Sequence, residues 1–488
     1  MTYYAATRLA GRTLLAGAVL GAWAAQSLAA QPTSIQNTPM TGGDGSVEQF
    51  DHNAYSLPLG NLPMTGRLDF SVGNSFFRNP WVVAPASTDA RDGLGPLINT
   101  NSCQGCHIKD GRGHPPAEGE RAVSLFLRLS MPTPAADDSA TDDTSADKDS
   151  TAEILRRTGA LPVPNYGRQL QNAAIAGARP EADLIIDYQP REVSLNGGET
   201  VTLRVPDYRI ENPAYGELPA ALLASPRVAP PMIGLGLLEA IADADILAAA
   251  DPDDEDDDGI SGRANRVWDK RSASTRLGRF GWKAGEPSVE QQSLNAFAGD
   301  MGLTSNLVPH TDCMPSQGCD DFADGGTPEV SDEIADFITF YASSLAVPQR
   351  RDLDSPAVMA GAESFASLGC SSCHRPQMRT ASDAERPELA GQTIWPYSDL
   401  LLHDMGEGLA DGRPEYQASG SEWRTPPLWG IGLTQRVNPQ AGFLHDGRAR
   451  TLQEAILWHS GEAATAMERY RQLSPEQRAE LITFLESL

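Results

Sequence analysis

Two five-residue stretches constrain this chain more than anything else in it: Cys103-Gln104-Gly105-Cys106-His107 and Cys370-Ser371-Ser372-Cys373-His374. Each is a Cys-x-x-Cys-His motif, the attachment signature of a c-type haem. The spacing has a chemical reason. Two thiols three positions apart each add to one haem vinyl group, and the next side chain is then held under the iron as the proximal axial ligand. Cys-x-x-Cys pairs also occur in zinc sites. With only 8 His among 488 residues, two such pairs both followed by His are hard to ascribe to chance. The expectation is two covalent haem c groups, one on Cys103, Cys106 and His107 and one on Cys370, Cys373 and His374, with both histidines bound to iron.

The compartment follows from the N-terminus. Arg8 and Arg12 precede the apolar run Leu14–Ala25, and Ser27-Leu28-Ala29 has the small-x-small pattern of a cleavage site. Residues 1–30 read as a signal peptide cut after Ala29 or Ala30. The apolar run of about 12 residues falls short of the ~20 that span a bilayer, so no transmembrane segment is expected and the mature protein is placed in the periplasm. In that oxidising setting the remaining cysteines, Cys313 and Cys319, are expected to form a small-loop disulfide. Charge narrows the partners. Lys+Arg is 38 against 65 Asp+Glu, a net charge of −27. That argues against nucleic acid, whose phosphates need a basic surface, and against an anionic membrane face.

Along the chain, residues 45–350 read as an N-terminal cytochrome c-like domain with insertions, and residues 352–488 as a C-terminal cytochrome c domain. The expected fold is mainly α, two cytochrome c-like domains with long loops and a small β element. Residues 132–152 are acidic and of low complexity, the composition of a disordered insertion. Residues 183–206 alternate and are β-branched around Asn196-Gly197-Gly198, which predicts a hairpin. Ser331 as N-cap with Ile334, Phe337, Ile338, Tyr341 and Leu345 on one face predicts a helix over 331–345. A helix over 357–369 runs into the second motif, carrying Gly361, Phe365 and Leu368. Ser474-Pro475-Glu476-Gln477 opens a terminal helix with N-cap Ser, Pro at N1 and Gln at N3. A terminal helix crossing the helix before the motif is the cytochrome c arrangement.

Each iron has a second axial position. Thr451 and Glu454 form a capping box, and Leu452, Ala455, Ile456 and His459 then share one helix face, which makes His459 a candidate ligand of the second haem. Its rivals are Met405 and Met467, although methionine is more often core filler. A second, independent site is suggested by an acidic run. Asp254, Asp256, Asp258, Gly259, Ile260 and Asn265 occupy positions one, three, five, six, seven and twelve of a calcium-loop pattern.

Trp423-Arg424-Thr425-Pro426-Pro427-Leu428-Trp429, Phe443-Leu444-His445-Asp446-Gly447-Arg448 and Thr451-Leu452-Gln453-Glu454-Ala455 resemble the C-terminal signature of bacterial dihaem cytochrome c peroxidases. With Arg91–Pro96, Gly278–Lys283, Leu401–Gly406 and Glu422–Gly430, the chain more closely resembles the di-haem oxidoreductase family, whose members are described as peroxidases or thiol oxidoreductases. In the peroxidases a Met fourteen residues after the His-Asp-Gly histidine ligates the C-terminal haem. Fourteen residues after His445 stands His459. The resemblance therefore implies His459 as ligand, and a His/His haem of lower potential than the peroxidases' His/Met. It also implies that the first haem is the reaction centre.

Peroxide chemistry needs a group that moves a proton. Glu239, at the end of the apolar run Pro231–Leu238, is the sequence candidate, because such surroundings raise a carboxyl pKa. His114 and His310 are lesser candidates for a sixth ligand of the first haem, and His403 and His445 suit propionates or backbone. The family's thiol description alone suggests a redox-active Cys313/Cys319 pair. The reading is a periplasmic dihaem oxidoreductase, peroxidase-like, passing electrons between two haems. Its substrate would be a small oxidant such as peroxide, and its partner a periplasmic electron donor or acceptor protein. The alternatives are a non-catalytic electron-transfer cytochrome and a haem-dependent oxygenase or protein-modifying oxidase.

Overall fold

Two crossed helix pairs frame the molecule, and a glycine permits each crossing. The computed structural model describes residues 38–133 and 145–488; residues 1–30, where the sequence predicts a signal peptide, lie outside these. Among the described residues the α-helices are α1 (Met64–Arg78), α2 (Cys103–Cys106), α3 (Ser145–Thr158), α4 (Leu235–Glu239), α5 (Asp243–Leu247), α6 (Val289–Met301), α7 (Asp332–Ser343), α8 (Pro356–Ser367), α9 (Thr434–Val437), α10 (Leu452–Leu457), α11 (Ala464–Gln472) and α12 (Pro475–Ser487).

Helix α1 packs on α7. At Gly73 a Cβ would stand 2.2 Å from Phe337 O, so only glycine lets the two backbones meet. One turn on, Phe77 lies 5.1 Å from the Tyr341 ring and 6.2 Å from His107, centroid to centroid. Helix α8 packs on α12 in the same way. A Cβ at Gly361 would stand 2.1 Å from Glu480 O. Phe365 then lies 5.3 Å from Phe484 and 6.4 Å from His374. A Gly-x-x-x-Phe step thus places an aromatic ring between a helix crossing and a motif histidine, twice in one chain. The local starts follow the capping chemistry. Ser331 Oγ accepts from Ile334 N, Thr451 Oγ1 from Glu454 N at 3.1 Å, and Ser474 and Gln477 cap each other reciprocally.

The expectation of a mainly α protein is corrected: helix accounts for 31% and strand for 18%. The strands form two-stranded antiparallel ribbons. These ribbons stiffen the long connections that would otherwise bury unpaired backbone groups. The largest is the hairpin Asp183–Ser194/Thr200–Glu211, which extends the predicted hairpin to Glu211. A second correction concerns the stretch 132–152. Helix α3 begins inside it at Ser145. Glu153 pairs with Arg156 and Arg157, and both guanidiniums lie over Trp268, which gives this polar helix a surface to rest on. Among the described residues no helix is long and apolar enough to cross a membrane.

Candidate functional site

The first motif opens helix α2, where Ser102 Oγ accepts from Gly105 N as N-cap. His107 ends it and turns inward, and its Nδ1 bonds Pro230 O at 2.8 Å. His374 repeats this with Tyr397 O at 3.0 Å. A carbonyl on Nδ1 fixes the tautomer and leaves the Nε2 lone pair free, the arrangement seen in metal-bound imidazoles. Burial pushes both imidazoles down to about 4, so both are neutral. The four motif thiols are unbridged, and burial raises each of them.

His459 sits just past α10, its Nδ1 bonded to Ala455 O at 2.8 Å. It is lowered by burial. It is also close enough to His374 that its positive charge would depress that imidazole. His374 and His459 are thus both buried imidazoles with a backbone carbonyl on Nδ1. Met405 stands in a turn whose carbonyl accepts from Ser460 Oγ, and Met467 lies on α11.

The first motif opens on a cavity of about 190 Å³. Its walls come from both halves of the chain. Cys103, Cys106, His107, Phe77 and Ile338 form one side; Pro426–Trp429 reaches it from the Trp-Arg-Thr-Pro-Pro segment. On α6 the residues Val289, Gln292, Ser293, Ala296 and Asp300 follow helical spacing along the cavity, and their small middle leaves room for a flat group. His107 is the only histidine in the lining. His114 instead bonds its neighbour Pro115 O, and His310 is exposed.

The charged lining is rich. Arg112, Arg128, Arg227 and Arg424 face Glu286, Asp300 and Glu415. Arg227 pairs with Glu415 at 2.8 Å, and Arg413 with the same carboxylate at 2.8 Å. Among the described residues buried Arg112 Nε has no hydrogen-bond partner, whereas Arg227 Nη2 is held by Glu415. An orphaned guanidinium nitrogen on Arg112, beside two thiols and a free imidazole, fits a haem whose propionates need partners. Glu286 accepts from Gln291 Nε2 at 2.9 Å and Asn295 Nδ2 at 2.7 Å, and burial raises its carboxyl.

The structure places Glu239 elsewhere than the sequence suggested. It is not in the cavity wall. Its Oε1 accepts from Val289 N at 2.8 Å, at the first turn of α6, where a carboxylate meets the positive helix end. Sequence reasoning missed Glu286 because its neighbours in the chain, Gly285 and Pro287, carry no helical or strand pattern; only folding brings it beside the cavity. His403 bonds Asp399 at 2.8 Å and Glu462 at 2.6 Å and approaches Cys373 Sγ at 3.5 Å. Burial opposes its charge, but these partners outweigh it and push it up to about 12. His445 stacks on Trp423 at 3.8 Å and 11°. Cys313 and Cys319 are bridged. In the acidic loop, carboxylate oxygens of Asp251, Asp254 and Asp256 lie within 4.8 Å of one another. Asp258 accepts from Ile260 N, while Asn265 is buried, donating to Lys283 O at 2.8 Å and Glu415 O at 3.1 Å. Asn265 is thus committed to the wall under the cavity and does not complete that loop.

A family description, "Di-haem oxidoreductase, putative peroxidase", matches residues 38–488. The chain belongs to the di-haem oxidoreductase family. No curated protein matches it. Among solved structures, a chain of Kuenenia stuttgartiensis hydrazine synthase pressurized with 20 bar xenon shares 18% identity at a TM-score of 0.23. The match covers 37% of this chain and 63% of that one.

Proposed function

We propose that this di-haem oxidoreductase is a periplasmic, peroxidase-like enzyme whose two haem sites do different work. The observation that carries the reading is an asymmetry of donors. The second site offers two free imidazoles, His374 and His459, whereas the first offers His107 alone inside a cavity with buried acids. In this reading Cys103, Cys106 and His107 would hold one covalent haem c, and Cys370, Cys373, His374 and His459 would hold the other. When bound, haem supplies one-electron redox chemistry and a Lewis-acidic iron.

The protein's own groups do the rest. Arg112 would neutralise a propionate at the first site, with Arg227 held beside it by Glu415. Glu286 replaces Glu239 as the proton-handling acid. Held as a carboxylate by Gln291 and Asn295, with its affinity for a proton raised by burial, it takes a proton from one oxygen of peroxide and returns it to the other. A small oxidant fits that cavity, and the electrons would come from a periplasmic donor protein by way of the second site. Calcium, if carried, belongs to Asp251, Asp254 and Asp256, and metal analysis of protein purified in its presence checks that assignment.

A resting-state electron paramagnetic resonance spectrum tests the proposal. One high-spin and one low-spin ferric signal, with the high-spin signal consumed by peroxide, is the expected result. Two low-spin signals indifferent to peroxide and cyanide would refute it and favour an electron-transfer cytochrome.

A further inference from the structure

Residues 458–462 carry His459 on very little local structure. Helix α10 has six residues and ends at Leu457, and His459 follows, its own N–H bonded to Ile456 O at 3.1 Å. So short a helix does not hold itself. One side of the segment is tied to the C-terminal half. Glu462 accepts from His403 at 2.6 Å and from Ser261 Oγ at 2.7 Å, and a Cβ at Gly461 would stand 2.2 Å from Asp404 O.

The other side is held by the long hairpin, which leaves the chain more than 230 residues earlier. Arg191 places its guanidinium 4.0 Å from the centroid of Trp458, the residue before His459. Arg448 lies over the same ring at 4.6 Å. Trp458 is 2% exposed. Arg448 is itself fixed by the hairpin: its Nε donates to Asp446 Oδ2 at 2.8 Å, and Tyr208 OH donates to that same oxygen at 2.7 Å. Arg204 donates to Gly447 O and Arg448 O. The hairpin therefore grips both the ring beside His459 and the loop that supports this ring.

We infer that the hairpin Asp183–Ser194/Thr200–Glu211 is a clasp that holds His459 in place as an axial ligand, with Arg191 and Tyr208 as positioning residues acting through Trp458 and Arg448. This rests on the proposal that His459 ligates the second haem. The consequence is that ligation at the C-terminal haem depends on an element of the N-terminal half. Loosening the clasp should release His459 more often without touching the first site. The contact requires a flat cation over an aromatic face, which Lys reproduces in part.

The test uses the full haem-loaded protein and cyanide as probe. In the wild type, near-infrared magnetic circular dichroism should report a bis-imidazole haem, and cyanide should enter it slowly, limited by His459 departure. Arg191→Ala should speed that phase about tenfold, the factor equivalent to ~1.4 kcal/mol, within the range of a desolvated cation–aromatic contact. Arg191→Lys should recover part of the loss. Arg191→Ala combined with Tyr208→Phe should be faster still, while the cyanide phase of the first haem stays unchanged. A bis-imidazole wild type whose cyanide rate is unaltered in both variants would overturn the clasp. A wild type lacking the bis-imidazole band would instead remove His459 as ligand, a separable outcome.

Discussion

Replacing Gly361 by Ala inserts a single methyl group into the crossing of α8 and α12. The new carbon would stand 2.1 Å from Glu480 O and 2.7 Å from Phe484 Cβ, where ordinary contact begins at 3.4 Å. The helices must part by roughly 1 Å, because the atom met is helical backbone and cannot swing away. Overpacking of this kind costs about 1–3 kcal/mol, and a backbone clash belongs at the upper end. Alanine returns about 1 kcal/mol as helix propensity, which leaves a net loss of about 1–2 kcal/mol. Gly299 supplies the control. It lies inside α6, and a Cβ there meets nothing within 4 Å. Gly299→Ala should therefore gain about 0.5–1 kcal/mol from propensity alone. Thermal unfolding followed by circular dichroism should move the two variants in opposite directions, by a few degrees each. In Gly361→Ala the Soret band of the second haem should also change, since Phe365 sits 6.4 Å from His374. A Gly361→Ala protein that melts at or above the wild-type temperature would refute the close-crossing argument.

Three further outcomes are expected. Denatured pyridine haemochrome should give two haems per chain, retained through acid-acetone extraction; a ratio of one would contradict a haem at each motif. Glu286→Gln should lower peroxide turnover by about 10²–10⁴-fold, the range of general acid–base catalysis, with haem content unchanged; equal turnover would return the search to other cavity acids. Burial works against the charge of Glu415, but Arg227 and Arg413 outweigh it and hold its carboxyl well below the usual range. Its stabilisation is complete above the unfolded carboxyl value near ~4.3 and is lost as pH falls below that. Glu415→Gln strands two buried guanidiniums, so denaturant unfolding at pH 7 should show a loss of about 3–5 kcal/mol, and the variant should lose less on acidification than the wild type does. Equal unfolding free energies at pH 7 would show that Arg227 and Arg413 do not depend on Glu415.

Local chemistry was legible in the residues alone. Cysteine spacing located both Cys-x-x-Cys-His motifs, capping residues set the starts of α7, α10 and α12, and alternation around Asn196-Gly197-Gly198 disclosed the hairpin. These features depend on neighbours within a few positions, so they survive in one dimension. The Gly73 and Phe77 pair could have been found the same way, since it repeats the step seen at Gly361 and Phe365.

What surrounds the first motif was decided only by tertiary structure. Pro426–Trp429, more than 300 residues away, lines its cavity, and the acids in that lining are Glu286, Asp300 and Glu415, with Glu239 outside it. Glu239 sits at the end of an apolar run, but its carboxylate is drawn to the buried N–H of Val289, which has no acceptor within the helix at the start of α6. Asn265 has the right place in a loop pattern, yet the amide finds better partners in Lys283 O and Glu415 O. In each case a polar group that must leave water takes the nearest donor or acceptor that the folded chain supplies. That partner lies far off in sequence, where no local pattern can name it.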